Sequence, residues 1–275
     1  QPEHPIRQSV IGERTDIDAF TLARAKAFHE RWYGKNNMTF VIYGPTNAEA
    51  VKPLVAKYID PLPEKRIPHR GWLDARRSFA PMDEVMKVED AEARRTEVHL
   101  QRIVRHQDDD PLATSAVTAI VGDYLNSQIK GSLSDLFVEN EEVATGVRVS
   151  TSSLGAGVMW LTVSATLEDG VDPMVMKNRI EGYLKDVQTR GLDPATIERL
   201  KKRRIVEIAD IEKEPQRVLS ALTGWFFGNR PYADWSKRAQ FYADVTPEKA
   251  QAILNIFAAP GRQVFGVLSP KGAAK

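Results

Sequence analysis

Five histidines are the side chains in this sequence best suited to metal or acid–base chemistry: His4, His29, His69, His99 and His106. No two lie four apart, the spacing at which a helix turns two imidazoles to one side so that they can share a metal. His29 sits on an amphipathic stretch beside Trp32 and Tyr33, where a packed or solvated imidazole is the favoured reading. His99 and His106 fall seven apart on a predicted strand and its exit. Odd spacing sends them to opposite faces, so a shared metal is not expected. The absence of cysteine excludes disulfides, thiolate zinc sites, iron–sulfur clusters and a cysteine nucleophile. Glu139, Glu141 and Glu142 cluster around Asn140. Grouped carboxylates can bind metal or move protons, but a polar loop ahead of a strand is the preferred account. Residues 201–204 (Lys-Lys-Arg-Arg) read as a solvated helix face. Trp225, Phe226 and Phe227, with Trp235, read as core packing rather than a ligand cage.

These groups must be positioned by elements that the hydrophobic pattern predicts. Leu22, Ala25, Phe28 and Trp32 recur at helical spacing, with Thr21 or Asp18 as cap. Met38 to Tyr43 (MTFVIY) reads as a strand and Ala48 to Tyr58 as a second helix. From Pro61 to about Asp83 the pattern lapses into prolines and charges, the best linker candidate. Beyond it, Thr96 to His106 reads as a strand with Val98, Leu100 and Ile103 inward. Pro111 opens a helix with a broad apolar face. Val143–Thr151 and Val158–Thr166 form a strand pair around Gly155–Ala–Gly157. Helices start at Asp172–Pro173, Asp193–Pro194 and Thr246–Pro247, and Gln263 to Leu268 closes as a strand. Strands and helices are partly segregated, which predicts an α+β layered fold rather than a doubly wound parallel sheet.

A chain of 275 residues with 42% hydrophobic and 27% charged side chains suits one and a half to two domains of ordinary globular composition. With 38 basic and 37 acidic side chains, a net charge of +1 gives no electrostatic reason to expect nucleic acid as a partner. No apolar run approaches the length of a membrane span. No signal peptide is visible, and Gln1, in polar sequence without an initiator Met, reads as an engineered or processing boundary.

His4–Pro5 through Gly12 (HPIRQSVIG) and Ile17 to Gly44 (IDAFTLARAKAFHERWYGKNNMTFVIYG) together resemble the second half of a peptidase domain of the M16 (insulinase/pitrilysin) family. The resemblance continues through Asp169–Gly–Val171–Asp172, Gly191–Leu–Asp–Pro194 before a Lys/Arg-rich helix, Gly228–Asn–Arg–Pro–Tyr232 and Val245–Thr–Pro247, in the family's order. It implies an M16 peptidase-like fold of the LuxS/MPP-like metallohydrolase type, with helices packed on a mostly antiparallel sheet. Residues 1–60 would be the second half of a first domain, 61–83 a linker, and 84–275 a complete second domain. A single strand in the first segment cannot complete a sheet, so that segment looks like the tail of a domain whose beginning is absent.

The resemblance further implies a zinc endopeptidase as parent, and a clam-like chamber with zinc in one half and substrate-holding groups in the other. The inverted His-x-x-Glu-His motif would lie upstream of Gln1, so no catalytic residue and no bound zinc are expected in this chain. The family's Arg and Tyr, seven apart in the domain facing the zinc, stabilise the developing oxyanion. Here the matching positions hold Val138 and Thr145, neither of which can do that work. Arg148 lies three residues beyond and could substitute only if its strand faces the chamber. The partners implied are a peptide or unfolded protein substrate and the missing upstream M16 half-domain, with homo- or hetero-oligomers possible. A periplasmic or secreted bacterial location is slightly favoured over a cytoplasmic one. The alternative is a non-catalytic M16-like partner or structural subunit.

Overall fold

The computed structural model describes residues 11–67, 82–106, 110–155, 158–227, 230–259 and 261–272. His4, His69, most of the HPIRQSVIG segment and residues 68–81 of the expected linker lie outside them. Contacts divide the chain into two compact units. One comprises residues 1–74 and 211–232, the other residues 75–210 and 233–275.

The first unit carries α1 (Arg14–Asp18), α2 (Leu22–Trp32), α3 (Ala48–Tyr58) and α7 (Pro215–Phe227). Thr21 caps α2 by accepting from the Arg24 N–H, and Asn47 caps α3 by accepting from the Ala50 N–H. A turn at Gly34–Asn37 docks onto the chain that follows α3. Asn36 donates to the Lys65 carbonyl (2.8 Å) and accepts from the Lys65 N–H (3.0 Å). α1, α2 and α3 have no buried residue, and Phe28, Phe40, Ile42, Leu54 and Tyr58 are all exposed. The strand expected at Met38–Tyr43 forms no ladder among the described residues. Its β-propensity is real, but a strand exists only as part of a hydrogen-bonded pair.

The second unit holds β1 (Met82–Asp90), β2 (Glu97–Arg105), α4 (Pro111–Leu125), β3 (Ala144–Gly155), β4 (Val158–Leu167), α5 (Pro173–Arg190), α6 (Pro194–Ile211), α8 (Arg238–Ala243), α9 (Pro247–Ala258) and β5 (Arg262–Pro270). The strands form one sheet in the order β1-β5-β2-β4-β3. β1 runs parallel to β5 and every other pairing is antiparallel. This is the α+β architecture expected, with β1 added at the edge. Helices α4, α5 and α9 share the core on one side of the sheet. Four helices start at an Asp–Pro or Thr–Pro step, where the first side chain caps and the proline supplies helical φ without needing its missing N–H. Asp110, Asp172, Asp193 and Thr246 accept from backbone N–H groups of their own first turns.

β2 corrects one expectation. Val98, Leu100, Arg102 and Val104 point into the core, and Ile103 lies on the other face, as period-two alternation requires. Burying a guanidinium is costly unless each N–H finds a partner. Arg102 Nε donates to Gln263 Oε1 (2.9 Å), and Nη1 donates to the carbonyls of Phe257 (2.9 Å) and Ala258 (3.3 Å). These are the last carbonyls of α9, which have no partner within the helix and carry its negative dipole end. Gln263 donates in turn to Glu181 (2.7 Å), and Lys177 reaches both Glu181 (2.9 Å) and Asp83 (3.3 Å). Two cations and two carboxylates thus balance across β1, β2, β5, α5 and α9. Burial pulls Arg102 below its ordinary pKa, opposed by Glu181 and Asp83. Burial would also lower Lys177, but bonds and charges from Glu181 and Asp83 outweigh it and hold Lys177 above its usual range. The Gln263 hydrogen bond, then Lys177, hold the Asp83 carboxyl below its usual range.

The basic run on α6 is only partly a solvated face. Arg204 makes a bidentate pair with Asp123 of α4 (2.6 Å to each oxygen) and Arg203 adds a longer contact (3.2 Å). Phe227 is exposed, contrary to the packing reading, whereas Trp225 is buried and donates to the Pro231 carbonyl (2.8 Å). Gly122 lets α4 lie close on β3: a Cβ there would strike the hydroxyl of Thr151, a β-branched side chain with little freedom to yield.

Three outcomes follow from this packing. Arg102→Met strips the end of α9 and leaves Gln263 and the Glu181 charge under-partnered; it should cost about 3 kcal/mol, read as a lower urea midpoint at unchanged slope. Asp83 is held below its unfolded value, so its contribution is present above about pH 4 and lost as pH falls through the folded value. Asp83→Asn should therefore flatten the acid limb of a stability–pH curve and, because Asp83 also helps hold Lys177 above its usual range, make the alkaline limb shallower as well. Glu142 has φ of 49°, a region that penalises a Cβ. Glu142→Gly should raise stability by about 1 kcal/mol, visible as a higher melting temperature.

Candidate functional site

The candidate segment begins where α4 ends. Ser132 is buried and accepts from the Asp135 N–H (3.1 Å), while Asp135 accepts from the Gly131 N–H (2.7 Å). These bonds start a single turn of π-helix, Asp135–Asn140, whose Phe137 is buried. Val138 on that turn packs, partly buried, against the core. Glu141 is ion-paired with Arg179 of α5, so the acidic group is tied to a helix rather than converged on a point. Thr145, at the start of β3, is exposed and its hydroxyl donates to the Thr166 carbonyl (3.4 Å).

Arg148 lies further along β3, exposed, on the face of the sheet turned away from the helices. Its neighbours Val147 and Val149 belong to the core side. The register sets Arg148 opposite Ser164, and Ser164 opposite His99. With strands about 4.8 Å apart, the three side chains form a row across β3, β4 and β2. His99 Nδ1 and Ser164 Oγ share a hydrogen bond of 2.9 Å, and His99 Nε2 stands 3.8 Å from Glu97 Oε2. Gln101 and Thr162 form the next rung at 3.5 Å. Ser150, Ser152, Thr162, Ser164 and Thr166 place five hydroxyls on the same face by register.

Ser164, His99 and Glu97 are the residue types of a nucleophile–base–acid relay, but the geometry does not support acyl transfer. Glu97 is beyond hydrogen-bond reach, and His99 and Glu97 are 48% and 47% exposed, so nothing excludes water or focuses charge on a developing oxyanion. What the face can do is hold an extended polar chain through hydroxyls, an imidazole and the guanidiniums of Arg148 and Arg105. Among the described residues, no three His, Asp or Glu side chains converge to hold a metal ion. The described residues do not fit a zinc site.

The row was not legible as a row in the sequence. Arg148 and His99 were each visible as single residues, but Ser164 carries no local signal. Only the β3–β4–β2 register brings the three together, and register is a tertiary property.

The fold is shared with solved proteases at low sequence identity. A protease from Helicobacter pylori superposes with a TM-score of 0.80 at 16% identity, over 94% of this chain and 62% of that one. The peptidase M16 inactive domain from Pseudomonas fluorescens gives 0.77 at 17% identity, over 99% of this chain and 63% of its own. The periplasmic protease PqqL from Escherichia coli gives 0.69 at 16% identity, over 94% of this chain and 29% of its own. This chain thus spans less than two thirds of each of those proteins. No curated protein matches it in sequence. The sequence profile described as Peptidase M16 inactive domain matches residues 19–204, from just before α2 into α6. By that match the chain belongs to the peptidase M16 inactive-domain family.

Proposed function

We propose that this chain is the non-catalytic, substrate-holding part of an M16-type zinc endopeptidase. Its second unit walls the chamber, and zinc and the catalytic groups come from an upstream M16 half-domain. The observation that carries this reading is the sheet face turned away from α4, α5 and α9, with Arg148, Ser164 and His99 in register, a surface suited to holding a polypeptide rather than cutting it. The substrate class is an unfolded protein or extended peptide, since a strand-like chain matches the pleat of a sheet face. The upstream half-domain would also supply the strands that pair with Met38–Tyr43 and cover Phe28, Phe40 and Ile42. No helix among the described residues is long and apolar enough to cross a membrane. A periplasmic or secreted location is the preferred one, in keeping with the periplasmic protease among the structural neighbours.

The second reading is a non-catalytic M16-like subunit that works as a partner. It is favoured by Val138 and Thr145, which put a packed valine and a carbonyl-bonded threonine where the family uses an arginine and a tyrosine.

The experiment is cleavage of an unstructured peptide by this chain fused to its preceding M16 half-domain, with and without a chelator. On the first reading cleavage is chelator-sensitive. Arg148→Ala should raise KM by about tenfold, the loss of one charged hydrogen bond, with kcat nearly unchanged. A folded, zinc-loaded fusion that cleaves nothing moves the assignment to the second reading.

A further inference from the structure

The two edges of the five-stranded sheet are finished differently. At β3 the outward N–H of Val149 is taken by Asn126 Oδ1 of the α4 C-cap (2.9 Å), and the Thr151 hydroxyl donates to the Thr118 carbonyl of α4 (2.9 Å). The β3–β4 ladder also shifts register near both ends, between Ala144 and Gly146 and between Ser153 and Gly155. A bonded, irregular edge is closed to a further strand.

Among the described residues β1 has none of these features. It pairs with β5 over nine consecutive residues without a register shift, and eight of the nine are exposed. The Met82 N–H donates to the Gly261 carbonyl (3.5 Å), and the Asp90 carbonyl accepts from the Lys271 N–H (3.0 Å). The even-numbered residues therefore turn their backbone groups toward β5. By strand alternation Asp83, Val85, Lys87 and Glu89 turn theirs outward, an edge of about 30 Å.

Charge selects what can add there. β1 carries Asp83, Glu84, Glu89 and Asp90 against Lys87 alone. A second copy pairing antiparallel about Met86 would set Asp83 opposite Glu89, and a parallel in-register copy would set every carboxylate opposite its twin. Like charges directly opposite destabilise a pair. The edge thus disfavours both of these self-pairings, and among the described residues its outer side has no strand partner.

From this geometry we infer that the outer edge of β1 is a docking site for an extended, Lys/Arg-rich polypeptide segment, which adds as a further strand of the sheet. Backbone bonds to Asp83, Val85, Lys87 and Glu89 hold it, and the carboxylates of Glu84 and Glu89 select its basic side chains. The site is separate from the Arg148 row and does not depend on the parent's cleaving anything.

The test is fluorescence anisotropy of a labelled, alternating Lys–Val peptide titrated with the full 275-residue chain, beside a Glu–Val peptide of equal length. The Lys–Val peptide should bind and the Glu–Val peptide should not. Lys87→Pro removes an outward N–H without touching the β5 ladder, and it also removes the one cation that repels a basic peptide. Charge alone would tighten binding, so about tenfold weakening reports the lost edge. The double variant E84Q/E89Q should weaken binding and reduce its salt dependence while keeping the melting temperature of the parent. Equal capture of both peptides, no capture at all, unaltered binding by Lys87→Pro, or a concentration-dependent dimer that the peptide does not dissociate would each overturn the assignment.

Discussion

Arg102 is the constraint on which the second unit turns. It enters the core from the central antiparallel strand, where an apolar side chain would be the simpler choice, and ends on the C-terminal carbonyls of α9 and the amide of Gln263. Those carbonyls belong to the residues just before the chain leaves α9 for β5. A group that fixes them fixes where β5 starts, and β5 lies between β1 and β2. The carboxylates that offset the buried cation come from α5 and β1. The same charge balance that makes Arg102 tolerable therefore also positions the parallel edge strand. A hydrophobic residue at 102 would fill the space, but would leave the end of α9 and the β1–α5 contact without a common partner. Such networks secure one arrangement among several of similar packing quality more than they add net stability.

Among the described residues, the first unit holds an extended apolar run without a paired strand beside it. Its segment from Thr21 to Gly44 parallels the segment from Thr246 to Pro270. Each has a threonine cap accepting from the N–H three residues on, at 3.3 Å in both cases, then a helix of about three turns, a turn, and an extended apolar run. In the second unit that run is β5, hydrogen-bonded on both sides. In the first it is Met38–Tyr43, with no ladder and with Phe40 and Ile42 exposed. The local sequence is equally strand-like in both. The difference lies in partners, because burial and backbone pairing are supplied by the other side of the contact.

This is also why some of the structure was legible beforehand and some was not. Helix starts were, because an Asp–Pro or Thr–Pro step satisfies the first-turn N–H groups with atoms one to three residues away. The strands of the β3–β4 pair were, because one turn joins them. β1 was not: Asp83, Glu84, Lys87, Glu89 and Asp90 blur its apolar alternation, and its partner among the described residues lies about 180 residues later in the chain. The inward direction of Arg102 was missed because it is set by Gln263 and α9, which nothing in residues 96–106 announces. Val138 and Thr145 could be placed by family likeness, yet the side chains that share the open face with Arg148 emerge only from register.

On the proposed reading, that open face bears on how a wall can serve a peptidase without reacting. Helices α4, α5 and α9 cover one side of the sheet, and the other presents hydroxyls, the His99 imidazole and the guanidiniums of Arg148 and Arg105, with Ile103 and Trp160 among them. Backbone pairing fixes where its side chains start, and the bonds between His99 and Ser164 and between Gln101 and Thr162 fix some of them further. A cleavage site needs charge focused on one atom, whereas a holding surface gains from many weak, spread contacts that let different sequences pass. An arginine three positions beyond the family's tyrosine position is poorly placed to focus charge on a reacting carbonyl. In a row with Ser164 and His99 it is well placed to orient a chain. On the proposed reading, the valine and threonine at 138 and 145 mark a domain in which holding has been kept and direct electrostatic help to the reaction has been given up.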